Sequence, residues 1–479
     1  MPISLARPRI ILAKLVHRLV GLRADERGTV AVMMAFLLPI VVGGLGLGFE
    51  VSNWYLNTRS MQNAADAAAI AAAANGGSNY DVEAKAVAAQ YGFVDGSNNI
   101  TVTPSNNATC PANVTTPPCY KVTITSVVPL YLSQVVGYSG DTTLNGTREK
   151  TLSSTAVATQ TIIAQPLCLL ALGTSGTALR SNGGPNTNFL GCSVMSNSNA
   201  QCNGSNLQAN YGLAHGTNGG GAGCGNKQES SIPTVSDPYA GYASNIPSQS
   251  TLNNASHCNN SYQNETKQGS TWSGGVTWSG SKTLTGEVED TSKANNTLIC
   301  GDLRLTGNVT INAPGGAVLF IDKGNLDLNG YTLSTADGSA VTLVFTGTAG
   351  GAAGAPIDHS GGSSGVLNIQ APSSVSAPFP GIAIYQDPNM TTPTNFTYTG
   401  NSPTWDLTGA VYMPYADVTM SGAINKSANG AVCMVMIAKD VTVNGTGSIY
   451  AQTPDGSGCK AAGLNMPTAQ IPGRGQLVY

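Results

Sequence analysis

The sequence predicts a membrane-anchored chain of two structural kinds. An N-terminal transmembrane helix extends into a small α+β unit, and an all-β, parallel β-solenoid-like domain follows at the C-terminal end. Three observations predict it. An uncharged apolar run at 28–49 passes without a break into an alanine-rich helical sequence. From Pro166 the composition turns to Asn, Gly, Ser and Cys. From Leu298 onward short apolar strands alternate with Gly and Asn turns at near-regular spacing. The organisation is a basic cytoplasmic segment at 1–27, a spanning and projecting helix at 28–75, an α+β unit at 76–164, a Cys/Asn/Gly-rich region at 165–297 and the solenoid-like domain at 298–479.

At 1.5 Å per residue the run 28–49 reaches about 33 Å, enough for a hydrocarbon core of roughly 30 Å. Arg7, Arg9, Lys14, Arg18, Arg23 and Arg27 precede it, whereas Glu50 to Asp66 offers Arg59 as its only basic residue. The positive-inside bias therefore puts the N-terminus in the cytoplasm and the bulk of the chain outside. Gly28, Phe36, Pro39 and Phe49 belong to the anchor, and Trp54 and Tyr55 follow at the depth where amphipathic rings settle. A secretory signal peptide is the rival, with Gly46, Leu47 and Gly48 near a cleavage point, but the run exceeds a signal core and its helical pattern continues. The preceding "IILAKLVHRLVGL" fits a helix on the cytoplasmic membrane face or a disordered basic arm.

The helix predicted from Gly28 to Ala74 ends at "NGG", 75–77. "DVEAKAVAAQYGFVDG" reads as a second helix, "NITVTP", "YKVTITSVV" and "TLSSTAVATQTII" as strands, and "PLYLSQVVG" as a helical turn. In 165–297 loops are expected to dominate, ordered by disulfides or a neighbouring domain. Beyond Leu298, "LRL", "VTI", "VLFI", "LDL", "YTL" and "VTLVF" suit a coiled parallel sheet, with an antiparallel sandwich as the alternative.

All ten cysteines, Cys110, Cys119, Cys168, Cys192, Cys202, Cys224, Cys258, Cys300, Cys433 and Cys459, lie on the exported side. Their even number fits disulfides in an oxidising compartment, with Cys110 and Cys119 able to close a Pro-rich loop. Metal binding competes weakly, because neither CxxC nor clustered His accompanies them. Charged residues make up only 10% of the chain and its net charge is -3, so nucleic acid is not an expected partner.

The segment from Arg27-Gly28 through Phe36, Leu38, Pro39, the glycines at 43, 44 and 46, Tyr55 and Gln62-Asn63-Ala64-Ala65-Asp66-Ala67-Ala68 resembles the Tad domain of TadG-like proteins. Those proteins belong to the bacterial tight-adherence (Flp) pilus-assembly system. The resemblance implies a single-pass inner-membrane protein with a periplasmic body. It implies help in pilus biogenesis, with pilins, minor pilins or outer-membrane pilus machinery as expected partners, and gives no mechanism; the absence of a catalytic constellation makes a non-enzymatic scaffold or accessory factor the expected role. The resemblance covers some 50 residues well and the rest loosely. Some larger relatives carry a von Willebrand-type domain, whose metal site begins with DxSxS. Here "DHSGG" at Asp358 and "DGSGC" at Asp455 lack the second serine, and no metal is expected. Type IV-like prepilins are cut after a glycine and carry Glu at the fifth mature residue, where it neutralises a neighbour's amino terminus. Counted from Thr29 that residue is Met33, a thioether, so a permanent anchor is expected rather than a fibre subunit.

No P-loop, GxSxG elbow or HExxH is present, no cofactor is expected, and the chain is read as no enzyme. His17, His215, His257 and His359 have no metal-spaced partner. A carbohydrate-active β-helix would need paired carboxylates, for which Asp302, Asp322 and Asp327 are the nearest candidates. They stand beside turns, where Asp commonly bonds local backbone. A membrane-tethered adhesin or a module binding glycan or peptidoglycan is the other alternative, with Trp272, Trp278 and Trp405 as candidate aromatic platforms.

Overall fold

A computed structural model describes residues 26–112, 114, 118–189, 191–204, 206–254, 276–284, 298–347, 354, 356–357, 365–398, 404–421, 423–424, 433–445, 448–450 and 457–478. The chain divides into two compact units, Met1–Ile163 with Pro472–Tyr479, and Ala164–Ile471.

The first unit is built on α1, Glu26–Asn75, which runs through Pro39 without interruption. Its two halves obey different rules. Large apolar side chains point outward all around the first half, Phe36 being 72% exposed, as expected of a helix surrounded by hydrocarbon. In the second half Met61, Ala64, Ala65, Ala68, Ala69, Ala72 and Ala73 are fully buried. Their i, i+3, i+4 spacing draws one stripe along the helix, and alanine lets the backbone approach its neighbours closely. That stripe meets Ala84 and Ala88 of α2, Tyr80–Gln90, and the antiparallel sheet formed by β1, Ile100–Ala108, β2, Cys119–Pro129, and β4, Thr147–Ala171. A short β3, Thr142–Leu144, folds back on β4. Between β2 and β3 lies a 3-10 turn, Ser133–Val136, where "PLYLSQVVG" predicts a helical turn.

The chain's last strand, Thr468–Leu477, enters this unit beside β4: Thr161 Oγ1 donates to the Arg474 carbonyl at 2.9 Å and the Val478 N–H to the Val157 carbonyl at 2.9 Å. Nothing in the sequence points to this return.

The second unit consists of parallel strands. One series runs Leu298–Cys300, Ala317–Asp322, Val341–Thr346, Ile382–Gln386, Thr404–Met420 and Met434–Val443, each paired with the next. Another runs Val276–Thr283, Leu303–Asn312, Thr332–Thr335, Val366–Gln370, Thr404–Met420, Ala423–Ile424 and Ser448–Tyr450. The stack does not stop at the end of this sequence order. Met434–Val443 next pairs with residues 169–171 of β4 and with Thr177–Ser181, and Ser193–Ser196, Tyr211–Ala214 and Lys227–Glu229 follow.

The expectation that loops dominate 165–297 is thus corrected for its described first part: 167–229 supplies strands to the parallel stack.

In-register pairing lines like residues up in ladders. Leu319, Leu343, Ile384, Val411, Met436, Leu169 and Val194 stack in one core, and the apolar part of the ladder gives way to Gly212. A Cβ there would fall 1.2 Å from the Cys224 carbonyl oxygen, so only glycine fits. On the opposite face of the same strands Phe320, Val344, Tyr385, Tyr412, Ile437, Leu170, Met195 and Leu213 form a second core, covered by Ile232, Tyr239 and Leu252. Burial on both faces explains why these strands read as apolar runs without alternation.

Candidate functional site

Three places carry chemistry: the middle of α1, a polar groove in the second unit, and the buried aspartates. At the first, Gly46 is buried because Leu132 lies on it; a Cβ on Gly46 would stand 2.8 Å from Leu132 Cδ1. One helical turn further on, the Glu50 carboxylate is 2% exposed and carries no ion pair among the described residues. It accepts three backbone N–H groups instead, from Tyr131 at 2.9 Å, Leu132 at 2.9 Å and Ser133 at 2.6 Å. These are the leading amides of the 3-10 turn, so the carboxylate caps it as an anion caps a helix N-terminus.

Above this clasp the Trp54 ring faces Tyr138, with centroids 5.7 Å apart, and Lys150 Nζ lies 5.7 Å from the Trp54 centroid and 3.1 Å from Asp141 Oδ2. Asp141 also accepts the Thr151 N–H at 2.6 Å, and this bond, followed by Lys150, lowers its carboxyl pKa against the opposing effect of burial. Phe36, Phe49 and Tyr55 are exposed, whereas Trp54 is half-buried against its own unit. The anchor side chains therefore divide, with Tyr55 outward and Trp54 inward. Pro39 is exposed within α1, and Gly28 lies in its first turn. Sequence reasoning missed Glu50. The available signal was the first carboxylate after an uncharged run together with the uncharged loop "PLYLSQVVGY".

Further along α1, the Gln62 side-chain amide donates to Asp66 Oδ1 at 2.8 Å and to the Thr155 carbonyl of β4 at 3.1 Å. Ser154 Oγ donates to the Thr58 carbonyl at 3.1 Å. The "QNAADAA" run thus combines a buried alanine face with one polar link from helix to sheet.

Disulfides join Cys110 to Cys119, as the sequence suggests, and also Cys168 to Cys192, Cys202 to Cys224 and Cys433 to Cys459. Cys300 is in a disulfide as well, and Cys258 lies outside the described residues.

The second unit holds a groove of about 510 Å³ lined by Asn197, Asp237, Pro393, Tyr415, Lys439 and Asp440, among others. Tyr412 Oη donates to Asp237 Oδ2 at 2.7 Å, and burial raises the Tyr412 phenol pKa so that it stays a donor. Lys439 Nζ sits 2.8 Å from Asp417 and 3.6 Å from Asp440. Burial raises the pKa of Asp440 against the opposing charge of Lys439. Donors and acceptors of this kind suit a polar, uncharged ligand.

Asp302, Asp322 and Asp327 are not brought together at this groove. All three are buried. Asp302 accepts the Asn325 N–H at 2.6 Å, and burial raises its carboxyl pKa. Asp327 accepts the Asn329 N–H at 2.9 Å and pairs with Arg304 at 3.3 Å. Asp322 accepts the Gln249 amide at 3.1 and 3.2 Å. The turn-bonding role expected beside Asn and Gly holds for Asp327, whose partner is two positions away, whereas Asp302 reaches Asn325, 23 positions on; burial of both is the unexpected part.

Trp278 and Trp405 are buried in the core, which corrects their candidacy as aromatic platforms. His215 Nδ1 contacts the Ile232 carbonyl at 2.9 Å. His17, His257, His359, Trp272, Asp358 and Asp455 lie outside the described residues. Among the described residues no group of three or more His, Cys, Asp or Glu could hold a metal ion.

Among the described residues one helix, near the N-terminus, is long and apolar enough to cross a membrane. Residues 28–75 match the family model described as "Putative Flp pilus-assembly TadE/G-like". No curated protein and no solved structure matches the chain.

Proposed function

We propose that this chain, whose residues 28–75 carry a Tad domain, is an inner-membrane protein with a periplasmic body that serves as a non-enzymatic scaffold in Flp-type pilus assembly. The observation that carries the reading is the coincidence of the family match with α1. The match ends at Asn75, where α1 ends, and it takes in both the lipid-like outer surface and the alanine stripe. The single basic residue Arg59 between Glu50 and Asp66, set against six before Gly28, favours a cytoplasmic N-terminus.

In this reading the second unit is a solenoid, supported by the in-register ladders of its parallel strands, and it presents a long surface to pilins or to outer-membrane pilus machinery. A second reading, a glycan- or peptidoglycan-binding module, is favoured by the groove at Asp237, Tyr415 and Lys439.

The test is complementation of a deletion strain. Full-length protein should restore pili, and a version exported to the periplasm with residues 28–49 replaced by a cleavable signal should not. A reporter active only outside the cytoplasm should work when fused after Ala164 and fail before Arg27. Pilus assembly by the untethered version would sink the anchored-scaffold reading. Loss of peptidoglycan retention by Lys439→Ala with pili intact would favour the binding module.

A further inference from the structure

We propose that the loop Leu130–Tyr138 is a second membrane contact, seated in the outer edge of the bilayer that α1 crosses; the proposal rests on the reading of α1 as a span. Depth is the first ground. Leu132 covers Gly46, which lies within the uncharged run 28–49. Counted from the middle of that run at 1.5 Å per residue, Gly46 sits about 11 Å from the midplane, inside a hydrocarbon half-thickness of about 15 Å. Whatever touches Gly46 is therefore carried to the level of the acyl chains.

The loop is chemically suited to that level. From Pro129 to Tyr138 it contains no charged residue. Tyr131 is 67% and Leu132 41% exposed, and Leu45 and Phe49 on either side of Gly46 in the helix sequence also face outward. Irregular backbone is tolerated at membrane depth only where its polar groups find partners. Glu50 supplies them: its buried carboxylate accepts the N–H groups of Tyr131, Leu132 and Ser133. A carboxylate at the membrane edge and three amides facing lipid would each be costly alone. Together they satisfy one another.

Trp54 and Tyr138 lie tilted against each other just beyond, and Lys150, paired with Asp141 at 3.1 Å, stands over both rings at 5.7 and 5.8 Å at headgroup depth. Apolar tip, aromatic pair and cation thus follow the order of the bilayer from acyl chain to headgroup, which selects lipid over a protein partner as the occupant.

The experiment uses full-length protein in vesicles of phosphatidylethanolamine and phosphatidylglycerol, with a benzophenone amino acid placed in turn at Phe36, Tyr131 and Tyr91, the last an exposed site beyond α2. Phospholipid adducts are expected at 36 and 131 and not at 91, and Glu50→Gln should abolish the adduct at 131 while leaving that at 36. Adducts at 36 without any at 131, or adducts at 131 to another protein molecule, would overturn the loop proposal and leave the span standing. No lipid adduct at either position would overturn the span itself and the proposal with it. An adduct at 131 that survives Glu50→Gln in protein retaining the Cys110–Cys119 disulfide would overturn the clasp.

Discussion

At the scale of single residues, the buried aspartates separate two jobs that look alike in sequence. Asp302 uses one oxygen to hold the Asn325 N–H, and an amide oxygen can do the same. Asp302→Asn should therefore cost under about 1 kcal/mol. Asp327 is fully buried and faces Arg304, so Asp327→Asn leaves the guanidinium without its anion and should cost about 1–3 kcal/mol. Urea unfolding of the full-length protein checks both, and equal losses would show that charge is irrelevant at Asp327. The Cys110–Cys119 disulfide was legible because the two cysteines are separated by only eight residues, three of them prolines. Glu50 was not legible as a clasp, because its partners are amides more than 80 positions away and backbone donors leave no residue-type signature.

At the scale of elements, α1 was legible over nearly its whole length, since an uncharged run of spanning length passes without a break into an alanine stripe that keeps a helical period. Its buried face tolerates little. Ala68→Leu pushes a large side chain into a fully buried position and should destabilise the first unit by about 1–3 kcal/mol, whereas Ala67→Leu, half-exposed one residue earlier, should cost much less. Thermal unfolding compares them, and equal melting temperatures would contradict the packing described.

The turn between α2 and β1 depends on pH. The Val102 N–H first, then Lys85 at 2.9 Å, hold the Asp95 carboxyl below its ordinary range, with burial opposing. A depressed carboxyl contributes stability above its unfolded pKa of about 4 and loses it as pH falls through the folded value. Asp95→Asn should therefore be less stable than the parent at pH 7 and indistinguishable from it below both pKa values, measured by thermal melts across pH 2–7. A constant difference across that range would refute the assignment. The strands within 167–229 were misread as loops for a physical reason. They are short and carry many small or polar residues, and one of them, Ser193–Ser196, is buried on both faces, so neither length nor a clear alternation marks them.

At the scale of the whole molecule, each unit is assembled from pieces distant in the chain. The first holds both termini of the sequence, and its last strand packs Leu477 against the core while Gly475 approaches Ile70 so closely that a Cβ would fall 2.4 Å from the Ile70 carbonyl. Deleting 472–479 should therefore expose β4 and speed proteolysis within 76–163, although the cut lies at the opposite end of the sequence. Unchanged proteolysis would show that the strand is an ornament of the unit. Composition foretold a parallel stack after Leu298, but the order of stacking was invisible, because like rungs carry no mark of which edge they join.

That order has a consequence for how the molecule is made. The rungs at 167–229 are synthesised first, yet the strand they rest upon, Met434–Val443, is nearly the last to appear. During synthesis the early segment has an open β edge and no floor beneath it, while its own links, Cys168–Cys192 and Cys202–Cys224, span only 24 and 22 positions and can close at once. The early rungs must wait, tied but undocked, until the end of the chain arrives, so maturation is paced by the arrival of the C-terminal strands, and any stall beyond residue 300 leaves an adhesive half-built sheet for chaperones to guard.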